Sequence, residues 1–206
     1  MIVEILKETV IMTQQCNTHQ IKYYEVVISP NAQGKQINLN EIIQKVYEKE
    51  PNLIPRLMFE DGVYEPAEAI VIDKSLELIA KNAGKVTIKN DNLITLLIFS
   101  GDGELILSGI HFENGYTETF TNAIEIQSGH LEMSACKSSL TLMGGASARV
   151  INSEFSNSTI GFHLKDNAKG KLLIAFSKRI YKVWQYKTKL VWYQSLIYTN
   201  KIRIAV

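Results

Sequence analysis

The 206-residue sequence predicts an all-β fold in which short strands coil into a parallel solenoid. Three observations lead there. First, a small or polar residue followed by apolar–x–apolar recurs at Gly103-Glu104-Leu105-Ile106-Leu107, Gly129-His130-Leu131-Glu132-Met133, Ala148-Arg149-Val150-Ile151 and Gly170-Lys171-Leu172-Leu173. The anchors Leu105, Leu131, Val150 and Leu172 are spaced 26, 19 and 22 residues apart. A period near 20 residues marks stacked units, each too small to bury an apolar face alone. Second, apolar and polar residues alternate at Ile70-x-Ile72, Leu76-x-Leu78, Val86-x-Ile88, Ile124-x-Ile126, Leu140-x-Leu142 and Phe162-x-Leu164, the period of half-buried strands. Third, Gly, Ser, Asn and Asp clusters such as Ser100-Gly101-Asp102-Gly103, Glu113-Asn114-Gly115 and Gln127-Ser128-Gly129 separate those segments. Such residues accept the positive φ that tight turns demand. Phe112, Phe155 and Phe176 form a second set, spaced 43 and 21, or two turns of the coil and then one.

Taken in order, residues 1–24 read as a lead-in segment, and Glu25-Val-Val-Ile-Ser29 as a strand. Pro30-Asn-Ala-Gln-Gly34 is a turn. Asn38 or Asn40 can N-cap a helix over about 39–50, whose Leu39, Ile42, Ile43, Val46 and Tyr47 share one face. Pro51 and Pro55 end it. Leu57-Met-Phe59 is a strand, Glu60-Asp61-Gly62 a turn, and Val63-Tyr64 starts the next strand. Residues 25–59 thus read as a cap over the open end of the solenoid, where bare strand edges would otherwise invite aggregation. The rungs run over 60–176, and Ser134, Asn152 and Ser153 fall near strand ends, where polar ladders form between rungs.

Composition changes after Asp166. Nine of the 22 Lys and Arg residues lie beyond it and none of the 21 acids does, although the whole chain carries only +1. Both Trp residues, Trp184 and Trp192, are there too. The segment 177–206 is therefore a basic aromatic tail, and three readings compete for it. It could bind nucleic acid or an anionic membrane, it could cap the solenoid, or it could be an out-of-frame extension. The favoured reading is the out-of-frame one, since the rung pattern stops after Phe176. On that reading the chain is a fragment of a larger protein, and its exposed end rung could self-associate.

Glu4, Lys7 and Glu8 interrupt the N-terminal apolar run, unlike a secretory signal. No apolar stretch reaches the length of a membrane span. Cys16 and Cys136 are lone thiols without metal-ligand spacing, which points to a reducing, cytoplasmic setting.

The run Glu60-Asp-Gly-Val-Tyr-Glu-Pro66, then Ile70-Val-Ile-Asp-Lys-Ser-Leu-Glu-Leu-Ile79, then Val86-Thr-Ile88 resembles the opening of right-handed parallel β-helix proteins of the pectin lyase-like superfamily. Val27-Ile-Ser-Pro-Asn-Ala-Gln-Gly34 with the following helix looks like their N-terminal cap. Ser108-Gly-Ile-His-Phe112 and Ile151-Asn-Ser-Glu-Phe155 look like their rung ends. The resemblance covers about residues 25–176, and it implies a right-handed parallel β-helix with a short N-terminal cap helix. That superfamily holds polysaccharide lyases, pectin methylesterases and polygalacturonases beside non-catalytic carbohydrate- and protein-binding modules, so fold alone selects no activity.

The catalytic patterns of those enzymes are absent. The pectin methylesterase segments of the Gln-Asp-Thr-Leu and Asp-Phe-Ile-Phe-Gly kind are missing. Arg149 lies mid-rung without an acidic cluster nearby in sequence, and Ser128-Gly-His130 is followed by Leu131 rather than Gly. A glycosidase needs two carboxylates at a fixed separation; Asp102 and Glu104, or Glu113 and Glu118, could supply one, but scattered surface acids read the same way. His111, His130 and His163 fall near equivalent rung positions, yet their spacings of 19 and 33 do not fit one face. No metal, no cofactor and no catalytic residue is therefore expected.

The longest loop between rungs, Asn114-Gly-Tyr-Thr-Glu-Thr-Phe-Thr121, is the candidate binding surface. Tyr116 and Phe120 are suited to stacking and Glu118 to hydrogen bonding, because repeat insertions map to one face. The expected role is a non-catalytic module that binds a glycan or a protein along the solenoid face. The alternatives are part of a polysaccharide lyase or pectin esterase-like enzyme, or a tail-driven nucleic-acid or membrane binder. Nucleic acid is not the expected partner.

Overall fold

The computed structural model describes residues 6–16, 19–30, 36–114, 122–155, 162–164, 172–175, 183–185 and 204–205. Strands β1 (Leu6–Cys16) and β2 (His19–Ile28) precede α1 (Leu39–Lys49), the single helix among the described residues. Then follow β3 (Ile54–Phe59), β4 (Gly62–Tyr64), β5 (Ile70–Ile72), β6 (Leu76–Ala80), β7 (Val86–Asn90), β8 (Leu97–Phe99), β9 (Glu104–Ser108), β10 (Ile110–Asn114) and β11 (Ile124–Ile126). The chain continues with β12 (His130–Ser134), β13 (Lys137–Ser138), β14 (Leu140–Leu142), β15 (Ser147–Ile151), β16 (Glu154–Phe155), β17 (Phe162–Leu164), β18 (Leu172–Ala175), β19 (Val183–Gln185) and β20 (Ile204–Ala205).

These strands form three sheets. The first has the order β1-β2-β3-β6-β9-β12-β15-β18, the second β16-β13-β10-β7-β4, and the third β20-β19-β17-β14-β11-β8-β5. From β4 to β18 the chain visits second, third and first sheet in strict rotation, and each strand pairs in parallel with the strand three places later. Among the described residues the one antiparallel ladder joins β1 to β2, so part of the segment read as a lead-in is a hairpin on the edge of the first sheet. Among the described residues the fold is all-β, with three sheets that are parallel apart from the β1–β2 hairpin, and one helix.

Inward residues follow the period of two and fill one core. Leu57, Leu78, Leu107, Met133 and Val150 line the first sheet. Ile88, Phe112, Ser138 and Phe155 line the second, and Ile72, Phe99, Ile126 and Leu142 the third. Each fully buried Leu, Ile or Phe removes apolar surface worth about 1.5–3 kcal/mol from water. Phe112 and Phe155 do share one column two circuits apart, with buried Ser138 between them.

The anchor series is two residues out of register at one point. Leu131 pairs with Leu105 on one side but with Ala148 on the other, while Val150 pairs with Met133. A slip of two leaves every side chain on its own face, so apolar alternation cannot detect it. Phe176 lies outside the described residues.

The helix forms where its periodicity places it. Asn38 is the N-cap, its side chain accepting from Glu41 N–H at 3.0 Å, and Leu39, Ile43, Val46 and Tyr47 are buried while Ile42 is half-buried. Asn40 does a different job: its Nδ2 donates to Ala69 C=O at 2.9 Å and its Oδ1 accepts from Val71 N–H at 2.9 Å. Beside it, Ile37 bridges Pro66, donating to Glu65 C=O and accepting from Ala67 N–H. The segment around the helix start therefore satisfies backbone groups at the open edge of the third sheet. Tyr47 ties the helix down by donating to Lys74 C=O at 3.1 Å.

The corners differ in kind. Between the first and second sheets, Gly109, Ala135 and Asn152 occupy one stacked position with φ of 73°, 51° and 48°. One left-handed residue turns the chain from sheet to sheet. Between the second and third sheets the connection ranges from the single residue Ser139 to the segment 115–123.

Candidate functional site

Two arrangements of polar side chains stand out on the outside of the sheets. The first is on the outward face of the first sheet. Register places Glu104, His130 and Ser147 in one row and Glu132 and Arg149 in the next, and neighbours within a row stand one strand spacing of about 4.8 Å apart. His130 Nδ1 lies 2.7 Å from Ser147 Oγ, and His130 Nε2 lies 3.9 Å from Glu132 Oε1. Arg149 Nη1 donates to both carboxylate oxygens of Glu132, at 3.3 and 3.2 Å. One donor atom from each of Glu104, His130 and Glu132 falls within 4.8 Å of the others. Glu104 and Arg149 are exposed and the other residues half-buried, so the row is open to a ligand in solution.

Farther along the same face the polar row goes under cover. Arg56 Nε donates to Glu77 Oε2 at 2.6 Å, and its Nη1 lies 3.8 Å from Glu25 Oε2. The side chains of Glu25 and Glu77 are only 5% and 2% exposed, so one guanidinium serves two buried carboxylates. Its Cζ lies 4.1 Å from the Tyr23 ring centre, a cation–π contact. Burial, and after it the nearby Glu77 charge, raises the pKa of Tyr23 and keeps its hydroxyl protonated. Beyond Glu132 the edge-ward rows turn to hydroxyls, where Ser134 Oγ donates to Ser108 Oγ at 3.1 Å.

The second arrangement is a cleft of about 240 Å³ at the corner between the first and second sheets, lined by Gly84, His111, Ala135, Lys137, Asn152 and Glu154 among others. Cys136 lies at its base. Burial pushes its thiol up to about 12, and its Sγ sits 3.2 Å from Ser134 C=O, so it stays a neutral donor rather than a thiolate nucleophile.

Several expectations can be placed against this geometry. Tyr116, Glu118 and Phe120 lie outside the described residues, as does Trp192 of the tail, while Trp184 falls on β19. His111, His130 and His163 sit on β10, β12 and β17, each in a different sheet, so they share no face. Asp102 stays in an exposed turn, and Glu113 is on the second sheet. Arg149 does meet acids, contrary to the sequence reading, because parallel pairing brings Glu132 alongside from the previous circuit. A further polar pair stacks at the far end of the second sheet. Asn90 and Asn114 are register partners, and each donates Nδ2 to a backbone carbonyl at the next corner, Pro66 and Ile94, at 2.7 Å. Ser153 Oγ, near a strand end as expected, accepts from Cys136 N–H of the previous circuit at 3.2 Å.

Glu25, Arg56 and Glu77 gave no local signal, since their separations in sequence match no motif. Only the pairing of β2, β3 and β6 brings them together. No helix among the described residues is long and apolar enough to cross a membrane. No family model matches the chain, and no curated protein and no solved structure is significantly similar to it.

Proposed function

We propose that the chain is a right-handed parallel β-helix that works as a non-catalytic interaction module, holding a glycan or an extended protein segment along the outward face of its first sheet. The observation that carries this reading is the pair of adjacent outward rows formed by Glu104, His130 and Ser147 and by Glu132 and Arg149. It presents donors and acceptors at a regular strand spacing to solvent, and an extended polymer repeats its own polar groups on a similar scale. Superfamily resemblance, rather than any match, supplies the handedness and the glycan option. The buried free thiol of Cys136 fits a reducing, cytoplasmic setting.

A hydrolytic reading has one specific observation in its favour, the close approach of Glu104 and Glu132, since paired carboxylates carry glycoside hydrolysis. Against it, Glu104 is exposed and Glu132 is held by Arg149, so the pair is open to water. Glycan and peptide arrays probed with the intact chain and with Arg149→Ala plus His130→Ala separate these readings. Binding that the double variant loses, with no product formed, supports the module. Release of unsaturated, de-esterified or shortened sugar supports the enzyme. Binding that the double variant retains places the ligand elsewhere.

A further inference from the structure

The corner cleft holds three half-buried polar side chains that the fold leaves uncommitted. His111, Lys137 and Glu154 occupy the same outward register position on β10, β13 and β16. Their inward neighbours Phe112, Ser138 and Phe155 are buried, which fixes the direction in which they point. Lys137 and Glu154 stand one strand spacing apart yet do not pair with each other, and among the described residues none of the three side chains has a hydrogen-bond or ion-pair partner. The exposed carboxamide of Asn152 stands at the rim, carried there by its left-handed backbone. Opposite stands Gly84, where a Cβ would sit in ordinary van der Waals contact with His111 Nε2 at 3.7 Å, so this wall lies close to the histidine.

Charge and size define what would fill this space. A cation and an anion about 5 Å apart, with a histidine beside the cation, leave the cleft neutral overall but strongly dipolar. A simple carboxylate would face Glu154 and a simple amine would face Lys137. A molecule with both charges on one small frame meets neither conflict. The cleft's 240 Å³ lies below the roughly 300 Å³ at which drug-sized sites begin, so the occupant is small. We infer that this corner binds a free α-amino acid, its carboxylate toward Lys137 and His111 and its ammonium toward Glu154, with Asn152 at the mouth. This site is separate from the row on the first sheet and does not depend on it.

The test is a titration of the isotope-labelled intact chain with L-alanine, L-serine and L-glutamine, read by amide NMR at Gly84, Ala135 and Cys136. Saturating shifts confined to these amides are expected, with a Kd on the order of 1 mM for two charge-assisted contacts. Lys137→Met and Glu154→Gln, both half-buried and without side-chain partners, should each weaken binding by about tenfold or more while leaving the spectrum dispersed, and Arg149→Ala should leave binding unchanged. The absence of saturating shifts with all three amino acids up to ~50 mM overturns the inference. So does equal binding by Lys137→Met, or binding of acetate as tight as that of alanine, which would make the corner a plain anion site.

Discussion

The side-chain amide of Asn40 occupies the place of a missing peptide group beside Val71. Its Oδ1 accepts the Val71 N–H and its Nδ2 donates to the Ala69 carbonyl, both at 2.9 Å, as a neighbouring strand would. β5 is the edge of the third sheet, and an edge with free donors and acceptors is a template for pairing with another chain. Asn40→Ala should therefore cost about 1–3 kcal/mol by urea denaturation. It should also raise the tendency to self-associate, measured by sedimentation. A variant that stays monomeric at full stability would show that this edge needs no cover.

Arg56 carries a larger share of stability than its charge alone suggests. Arg56→Met leaves Glu25 and Glu77 buried without their cation, and this should cost about 3–5 kcal/mol. Replacing all three with Arg56→Met, Glu25→Gln and Glu77→Gln should recover most of that loss, because no net charge then remains in the covered row. Failure of the triple variant to recover would mean that Arg56 acts chiefly through its contact with Tyr23.

Cys136 gives the fold an alkaline limit. Its thiol titrates near 9.0 when free and is pushed up to about 12 in the fold by burial. The unfolded chain therefore loses this proton first as pH rises, so the contribution is intact below pH 9 and is lost progressively between pH 9 and about 12. Wild-type stability should fall by about 1 kcal/mol between pH 9 and 10 from this group. Cys136→Ala should flatten that part of the profile whatever its effect at pH 7. Tyr47 and Tyr64, raised mainly by burial, add further loss above pH 10 in both proteins.

Two substitutions at left-handed positions should act in opposite directions. Ala135 has φ 51°, a conformation that costs a residue with a Cβ about 1–2 kcal/mol, so Ala135→Gly should be neutral to stabilising. Gly129 has φ 75°, and a Cβ there would meet the carbonyl oxygens of Gly101 and Gly103 from the previous circuit. Gly129→Ala should destabilise by about 2 kcal/mol or more, since the obstacle is backbone rather than a side chain that can swing away. Thermal melts of the pair are a direct check.

Local signals carried the reading of this chain wherever one element decides its own structure. The helix was legible because Asn38, Leu39, Ile43, Val46 and Tyr47 fit a single cap and a single face. The strands at 70–72, 86–88, 124–126 and 140–142 were legible from alternation. What needed pairing partners was not legible. Val150 was matched to Leu131 when its partner is Met133, because alternation is blind to a shift of two. Asn40 read as an alternative cap, since nothing in the sequence marks the Ala69–Val71 backbone as its target. The cleft at His111, Lys137 and Glu154 joins residues from three circuits, and no spacing rule predicts it when the period itself varies.

The unequal corners also decide where this molecule can be re-engineered. The turn through Gly109, Ala135 and Asn152 is a single shared residue in successive circuits, so one residue added there would throw the second sheet out of step with its neighbours. The passage from the second to the third sheet already takes a single residue at Ser139 and many between Asn114 and Asn122. A foreign epitope or a small reporter domain therefore belongs in that passage, whose length already differs from circuit to circuit between strands that stay in register. The scaffold thus has a rigid hem on one side and a free pleat on the other, and display cargo belongs in the pleat.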